Sequence, residues 1–143
     1  MDLKQLRYDN FFMDIARRCG QMSYATRLQV GAVLTRDNRV LGTGFNGALP
    51  GLPNECEHMD GSGALVTKPF IAHAEENLFM FMARSTQSSE GSTLYCTHST
   101  CPICAKLAYG AGIKRLVFAE AYRDMSGVEF LQSNGIAITH LKA

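Results

Sequence analysis

Near the start of the chain, apolar side chains recur every three or four positions. Tyr8, Phe11, Phe12, Ile15, Ala16 and Cys19 form one stripe, which predicts an amphipathic helix over residues 8–19. Residues 30–35 and 39–45 then read as strands, and the turn-forming Arg36-Asp37-Asn38 between them predicts a hairpin. Residues 46–69 show no period and hold Gly47, Pro50, Gly51, Pro53, Gly61, Gly63 and Pro69. A loop of that length inside a domain is usually functional, often a lid or a substrate-binding segment. Helical spacing returns over 71–84, followed by a buried strand at 93–97, a helix at 101–111 and a strand at 115–120. Pro102 suits the first turn of its helix, where N–H groups lack intrahelical partners. Ser126-Gly-Val-Glu129 reads as a capping box, Gly135 can close the helix it opens, and 136–139 reads as a short last strand.

A helix, a hairpin and then alternating helices and strands predict an α/β fold. The expected architecture is a three-layer α/β/α sandwich with a mixed five-stranded sheet, formed as one domain over residues 1–143. No repeat, low-complexity tract or linker suggests a second domain. With 46% apolar and 19% charged residues the composition is ordinary for a globular protein, and the formal net charge of +1 provides no general field for long nucleic acid. The longest notable apolar run, Leu78-Phe-Met-Phe-Met-Ala83, is far too short to cross a bilayer. The start, Met1-Asp-Leu-Lys-Gln, has no signal-peptide pattern, so a cytoplasmic setting without membrane partners is expected. Five cysteines then point to a reducing compartment and to metal ligands or buried thiols. Cys19 and Cys96 lie in apolar segments and read as buried free thiols.

Chemistry concentrates in His73-Ala74-Glu75 and Cys101-Pro102-Ile103-Cys104. One imidazole and two thiolates make a tripod for Zn²⁺ that leaves a fourth position open, as a catalytic zinc needs and a structural zinc lacks. The histidine and the first thiol are 28 positions apart, with a helix and a strand predicted between them. Two helix tips must therefore meet, which builds a pocket, and their positive dipole ends favour thiolate and hydroxide. Zinc brings the pKa of bound water to about 7. Glu75 would stand beside the metal without being a ligand, where a proton shuttle belongs. The competing readings are a Cys101/Cys104 redox pair, or a structural zinc clamp with His98 as fourth ligand; both leave Glu75 without a task. Cys56 and His58 are a further pair in the aperiodic stretch, but two donors without a third make a second metal site unexpected.

H-x-E followed by C-x-x-C is the pattern of zinc-dependent nucleobase deaminases. The chain resembles the deoxycytidylate (dCMP) deaminases of the cytidine deaminase-like superfamily over most of its length. The blocks that carry the resemblance, in order, are Val30-Gly-Ala-Val33, Gly44-Phe-Asn-Gly47 with Pro50-Gly51, His73-Ala-Glu75 with Asn77, Thr97-His98, Cys101-x-x-Cys104-Ala-Lys106 and Gly112-Ile-Lys-Arg-Leu-Val117. The zinc motif is shared with other deaminases, whereas the Gly-Phe-Asn-Gly-x-x-Pro-Gly segment favours dCMP. The resemblance implies His73, Cys101 and Cys104 as zinc ligands, Glu75 as proton shuttle, Asn46 on the sugar 3′-hydroxyl and Ala74 at the substrate. Arg27, before the first strand, and Tyr122, after the fourth, are candidates for the 5′-phosphate: a planar fork of donors and a hydroxyl donor. As plain structure, Asn46 would be a turn residue, Arg27 a solvated charge and Tyr122 a packing aromatic.

The resemblance further implies a homo-oligomer, commonly a hexamer, activated by dCTP with Mg²⁺ and inhibited by dTTP. Two positions depart from the family pattern: Thr100 stands where proline usually precedes the first cysteine, and Ala25 where several relatives have a cysteine for a second zinc. The expected activity is hydrolysis of dCMP to dUMP and ammonia, feeding thymidylate synthesis. The alternatives are a deaminase of dCTP or another cytosine compound, a non-catalytic zinc-stabilised binding module, and a base editor of tRNA or DNA; the near-zero net charge counts against the last.

Overall fold

A computed structural model describes residues 2–142. The chain opens with α1 (Leu3–Gly20), which starts well before the expected Tyr8 because Asp2 caps it, its carboxylate accepting from the N–H groups of Lys4 and Gln5. Next come the hairpin β1 (Gly31–Arg36) and β2 (Arg39–Phe45), whose two-residue turn puts Asp37 and Asn38 at φ +53° and +58°. Both residue types tolerate that left-handed conformation, and two successive positive φ values make the turn that matches strand twist.

The aperiodic stretch holds a second, small hairpin, β3 (Glu57–Met59) and β4 (Leu65–Thr67), which the sequence pattern does not reveal. Its strands are three residues each and mostly exposed, too short and too wet for an alternating signal. The order then runs α2 (Ala74–Arg84), β5 (Thr93–His98), α3 (Pro102–Gly110), β6 (Arg115–Glu120), α4 (Ser126–Ser133) and β7 (Ala137–His140). The expected capping box of α4 does not form. Ser126 is already helical, and its N–H is taken by Asp124 Oδ1 at 2.9 Å, so the aspartate does the capping work assigned to the serine. Gly135 does close this helix, at φ +88°.

The main sheet has the order β2-β1-β5-β6-β7. The β1–β2 and β1–β5 pairs are antiparallel, while β5–β6 and β6–β7 are parallel. Alternation along the strands splits the core in two. Ala32, Leu34, Leu94, Cys96, Leu116 and Phe118 face α2, α3 and α4, whereas Val33, Tyr95 and Val117 face α1. The result is the expected α/β/α sandwich with a mixed five-stranded sheet.

Two glycines set how close the layers come. A Cβ on Gly31 would lie 1.8 Å from Ala16 O of α1, and one on Gly44 would lie 2.4 Å from Ala74 O of α2. Backbone therefore packs on backbone at both places, and the first turn of α2 is held against β2. Asn77 Nδ2 adds a hydrogen bond to Phe45 O at 2.9 Å across the same seam. Leu78 behind it is completely buried. Truncating such a leucine to alanine costs roughly 2–5 kcal/mol, so α2 is anchored from below.

Candidate active site

α2 and α3 present their N-termini to the same point. His73 is the N-cap of α2 and Cys101 the N-cap of α3, with Cys104 in the first turn of α3. The helix begins after His73 because the preceding Ala72 pairs in extended conformation with Gly47, and Glu76 Oε1 accepts from His73 N at 2.7 Å. His73 Nδ1 lies 3.4 Å from Cys101 Sγ and 3.3 Å from Cys104 Sγ. A tetrahedral zinc with ordinary bond lengths needs nitrogen and sulfur about 3.5 Å apart, so the three donors fit the ion by spacing as well as by type.

The contacts polarise the groups. Hydrogen bonds from Cys104 and then His73 pull the Cys101 thiol down to about 4, against the effect of burial. His73 is pushed up to about 9, chiefly by its bond to Cys101. Cys104 moves opposite to Cys101, raised by its bond to that sulfur and by burial. A cation is what would let both sulfurs be thiolates at once. Among the described residues no other group of three His, Cys, Asp or Glu side chains converges in this way. His98 is outside the cluster: its Nδ1 lies 2.9 Å from Thr97 Oγ1 and its ring stacks on Tyr122, so it is not placed as the fourth ligand of a structural clamp.

Glu75 sits in the first turn of α2 with only 4% of its surface exposed. Thr100 Oγ1 donates to Glu75 Oε2 at 2.9 Å. Burial pushes the carboxyl pKa up, opposed by hydrogen bonds from its own N–H and from Thr100. A carboxylate held toward neutrality is suited to taking and returning a proton.

His73, Cys101 and Glu75 line the floor of a cleft of about 590 Å³, whose walls include Arg27, Asn46, Ala74 and Tyr122, with Cys104 buried behind them. All four residues expected at a substrate are thus brought to one cavity. Asn46 is also engaged structurally: its Oδ1 accepts from Val30 N at 2.8 Å and its Nδ2 donates to Leu28 O at 2.7 Å. Each amide atom keeps a second bonding position. Arg27 Nη1 donates to Thr67 Oγ1 at 3.3 Å, and burial raises the Tyr122 phenol, which stays a donor at neutral pH.

A model of the cytidine and deoxycytidylate deaminase zinc-binding region matches residues 6–120. The chain belongs to the cytidine and deoxycytidylate deaminase family. It is 32% identical to the deoxycytidylate deaminase of enterobacteria phage T4, over 77% of this chain and 76% of that protein. The corresponding enzyme of Mycobacterium phage D29 is 33% identical, over 78% of this chain and 93% of its own length. In structure the chain is similar to the dCMP deaminase of cyanophage S-TIM5 in complex with dCMP and dUMP, with a TM-score of 0.87 and 35% identity over 94% of this chain and 97% of that one.

Two features of this deaminase-family cleft are not apparent from the sequence. Glu57, from β3, reaches across to the segment carrying Arg27, and the Thr100 hydroxyl holds Glu75. Glu57 has no local signature because its partners lie some 30 positions earlier. Thr100 stands out only as a departure from proline. Cys56 is buried and bonds to Asn54 O, while His58 is exposed, and the two belong to no metal-binding cluster among the described residues.

Proposed function

We propose that the protein catalyses the hydrolytic deamination of dCMP to dUMP and ammonia. The observation that carries this reading is the buried Glu75 beside the His73/Cys101/Cys104 tripod at the floor of a cleft. Zinc held by the tripod would supply Lewis-acid activation of water. Glu75 accepts a proton from the water that attacks C4 and passes it to ring N3. It then takes the remaining hydroxyl proton of the C4 adduct and delivers it to the amine, so that ammonia leaves as the C4 carbonyl forms. The backbone at Ala74, in the first turn of α2, lies beside the ring. Asn46 meets the sugar 3′-hydroxyl with its remaining bonding positions. Arg27 and Tyr122 hold the 5′-phosphate, one by charge and the other by a neutral hydroxyl.

The product dUMP serves thymidylate synthesis, and feedback follows the same logic: activation by dCTP with Mg²⁺ and inhibition by dTTP, in a homo-oligomer, a hexamer by resemblance to the family. The apolar groove between α2 and α3, lined by Phe79, Met82, Ile103 and Leu107, supports association, since Ile103 is 62% exposed. Sedimentation with and without these nucleotides tests that part.

The activity is tested by ammonia release from dCMP, dCTP, deoxycytidine and cytosine by zinc-loaded protein. Preference for dCMP is expected. Preference for dCTP or the nucleoside would keep the hydrolysis and overturn the phosphate assignments. Glu75→Gln is expected to retain zinc and lose turnover; unchanged biological activity in that variant would favour a non-catalytic binding module.

A further inference from the structure

We propose that Thr100 is a positioning residue for Glu75, its hydroxyl fixing the carboxylate against the metal-ligand segment. The proposal rests on the reading of Glu75 as the proton carrier. Thr100 is completely buried, and its hydroxyl has Glu75 Oε2 as its hydrogen-bond acceptor at 2.9 Å. A glutamate side chain has three torsions, the last of them soft, so burial alone does not set the direction of its oxygens. A bond to a fixed hydroxyl does.

The donor is itself tightly held. The residue before it, Ser99, is completely buried, donates its N–H to Glu120 O at 2.7 Å, and accepts from Tyr122 N at 2.8 Å. On the other side, the Thr100 carbonyl packs against Gly127 of α4 so closely that a Cβ there would lie 2.5 Å from it. Threonine is also stiff at χ1 because its β-carbon is branched. The hydroxyl is thus an extension of the β5–β6–α4 frame.

Thr100 immediately precedes Cys101. One dipeptide therefore supplies both a metal ligand and the anchor of the proton carrier, although Glu75 comes from a different helix. Their separation is set by a single short bond between the α2 and α3 segments, where it would otherwise depend on the packing of two helix tips. Proline, usual at this position in the family the chain resembles, has no hydroxyl and makes no such bond. The device belongs to this chain's own choice of residue.

The test compares zinc-loaded wild type, Thr100→Val and Thr100→Ser. Valine keeps the branched shape and removes only the hydroxyl; serine keeps the hydroxyl and removes the methyl. Thr100→Val is expected to keep its zinc and its KM for dCMP while kcat falls roughly ten- to a hundredfold, the pattern of a contact needed only in the transition state. Thr100→Ser is expected to recover most of that loss. Crystal structures of wild type and Thr100→Val are expected to show the Glu75 carboxylate turned between the two. Wild-type kcat in the valine variant, equal losses in both variants, or loss of zinc from the valine variant would each overturn the proposal. If wild type released no ammonia from dCMP, the activity reading would fail separately. The orientation of Glu75 in the two crystal structures would still decide whether Thr100 positions it.

Discussion

Glu57 holds the peptide that carries Arg27: one carboxylate oxygen accepts from Thr26 N at 3.0 Å and from Arg27 N at 3.1 Å. Arg27 is gripped a second time through its guanidinium, by Thr67 on the partner strand of the same hairpin. The β3–β4 hairpin is therefore the mount of one wall of the cleft. Charge-assisted bonds of this kind are worth about 1.5–3 kcal/mol each. Glu57→Ala is expected to raise KM for dCMP about tenfold with a smaller effect on kcat, because the Glu57 carboxylate bonds to the Arg27 segment and not to Glu75 or the tripod. Steady-state kinetics check this; a fall in kcat at unchanged KM would place Glu57 with the chemistry.

Removing the guanidinium itself makes the phosphate assignment directly testable. Arg27→Ala is expected to raise KM for dCMP by about tenfold or more while leaving deoxycytidine, which has no phosphate, nearly unchanged. Equal effects on nucleotide and nucleoside would remove Arg27 from the phosphate site.

The parts of this molecule legible in the sequence are those whose cause is local. The Asp37-Asn38 turn, the helical stripe through Phe12 and Ala16, and the helix stop at Gly135 each depend on neighbouring residues. The tripod was legible because H-x-E and C-x-x-C are short patterns tied to metal geometry. The β3–β4 hairpin was not, since three-residue strands carry no usable period. The roles of Glu57 and Thr100 were hidden for a different reason: their partners are 25 to 31 positions away, and only the fold brings them together. At α4 a local pattern misled, because Asp124, two residues earlier, outcompetes Ser126 for the cap.

Cys104 is completely buried and is the most enclosed of the three tripod donors. Cys104→Ser replaces a soft thiolate donor with a hydroxyl that does not ionise near neutral pH, and is expected to lose zinc and turnover together. Metal analysis after gel filtration measures the first and ammonia release the second. Full zinc occupancy in this variant would show that the ligands are assigned wrongly. Because thiolates and neutral imidazole are the binding forms, zinc affinity of the wild type is expected to fall as pH is lowered from 7.

Gly127 lies so close to the segment before α3 that a Cβ would come within 2.8 Å of Cys101 O and 2.7 Å of Cys101 C. Backbone atoms cannot swing aside as a flexible side chain can. Gly127→Ala is expected to displace Cys101, lowering zinc affinity about tenfold or more, the scale seen when support of a metal ligand is disturbed. Competition with a zinc chelator measures it. Affinity equal to wild type would mean that α4 shifts instead and the ligand segment stays.

On the far face of the sheet, Asp9 joins α1 to the strands without touching the cleft. Its carboxylate accepts from Tyr95 Oη at 2.6 Å, from Arg115 Nη1 at 2.9 Å and Nη2 at 2.6 Å, and from Gln5 Nε2 at 2.9 Å. Burial works to raise its pKa, but the bonds from Arg115, Tyr95 and Gln5 outweigh it and the net shift is downward. A carboxylate whose pKa is lower folded than unfolded contributes stability that is complete above the unfolded value, about 3.9, and is lost as pH falls through the folded value. Asp9→Asn keeps the shape but leaves the Arg115 charge without its counter-ion, and is expected to cost about 3 kcal/mol at pH 7. Urea unfolding at pH 7 and near pH 3 measures both effects. The gap between wild type and variant is expected to narrow at the lower pH, because protonated Asp9 no longer outperforms asparagine. A gap independent of pH would assign the loss to packing of α1 rather than to the charge.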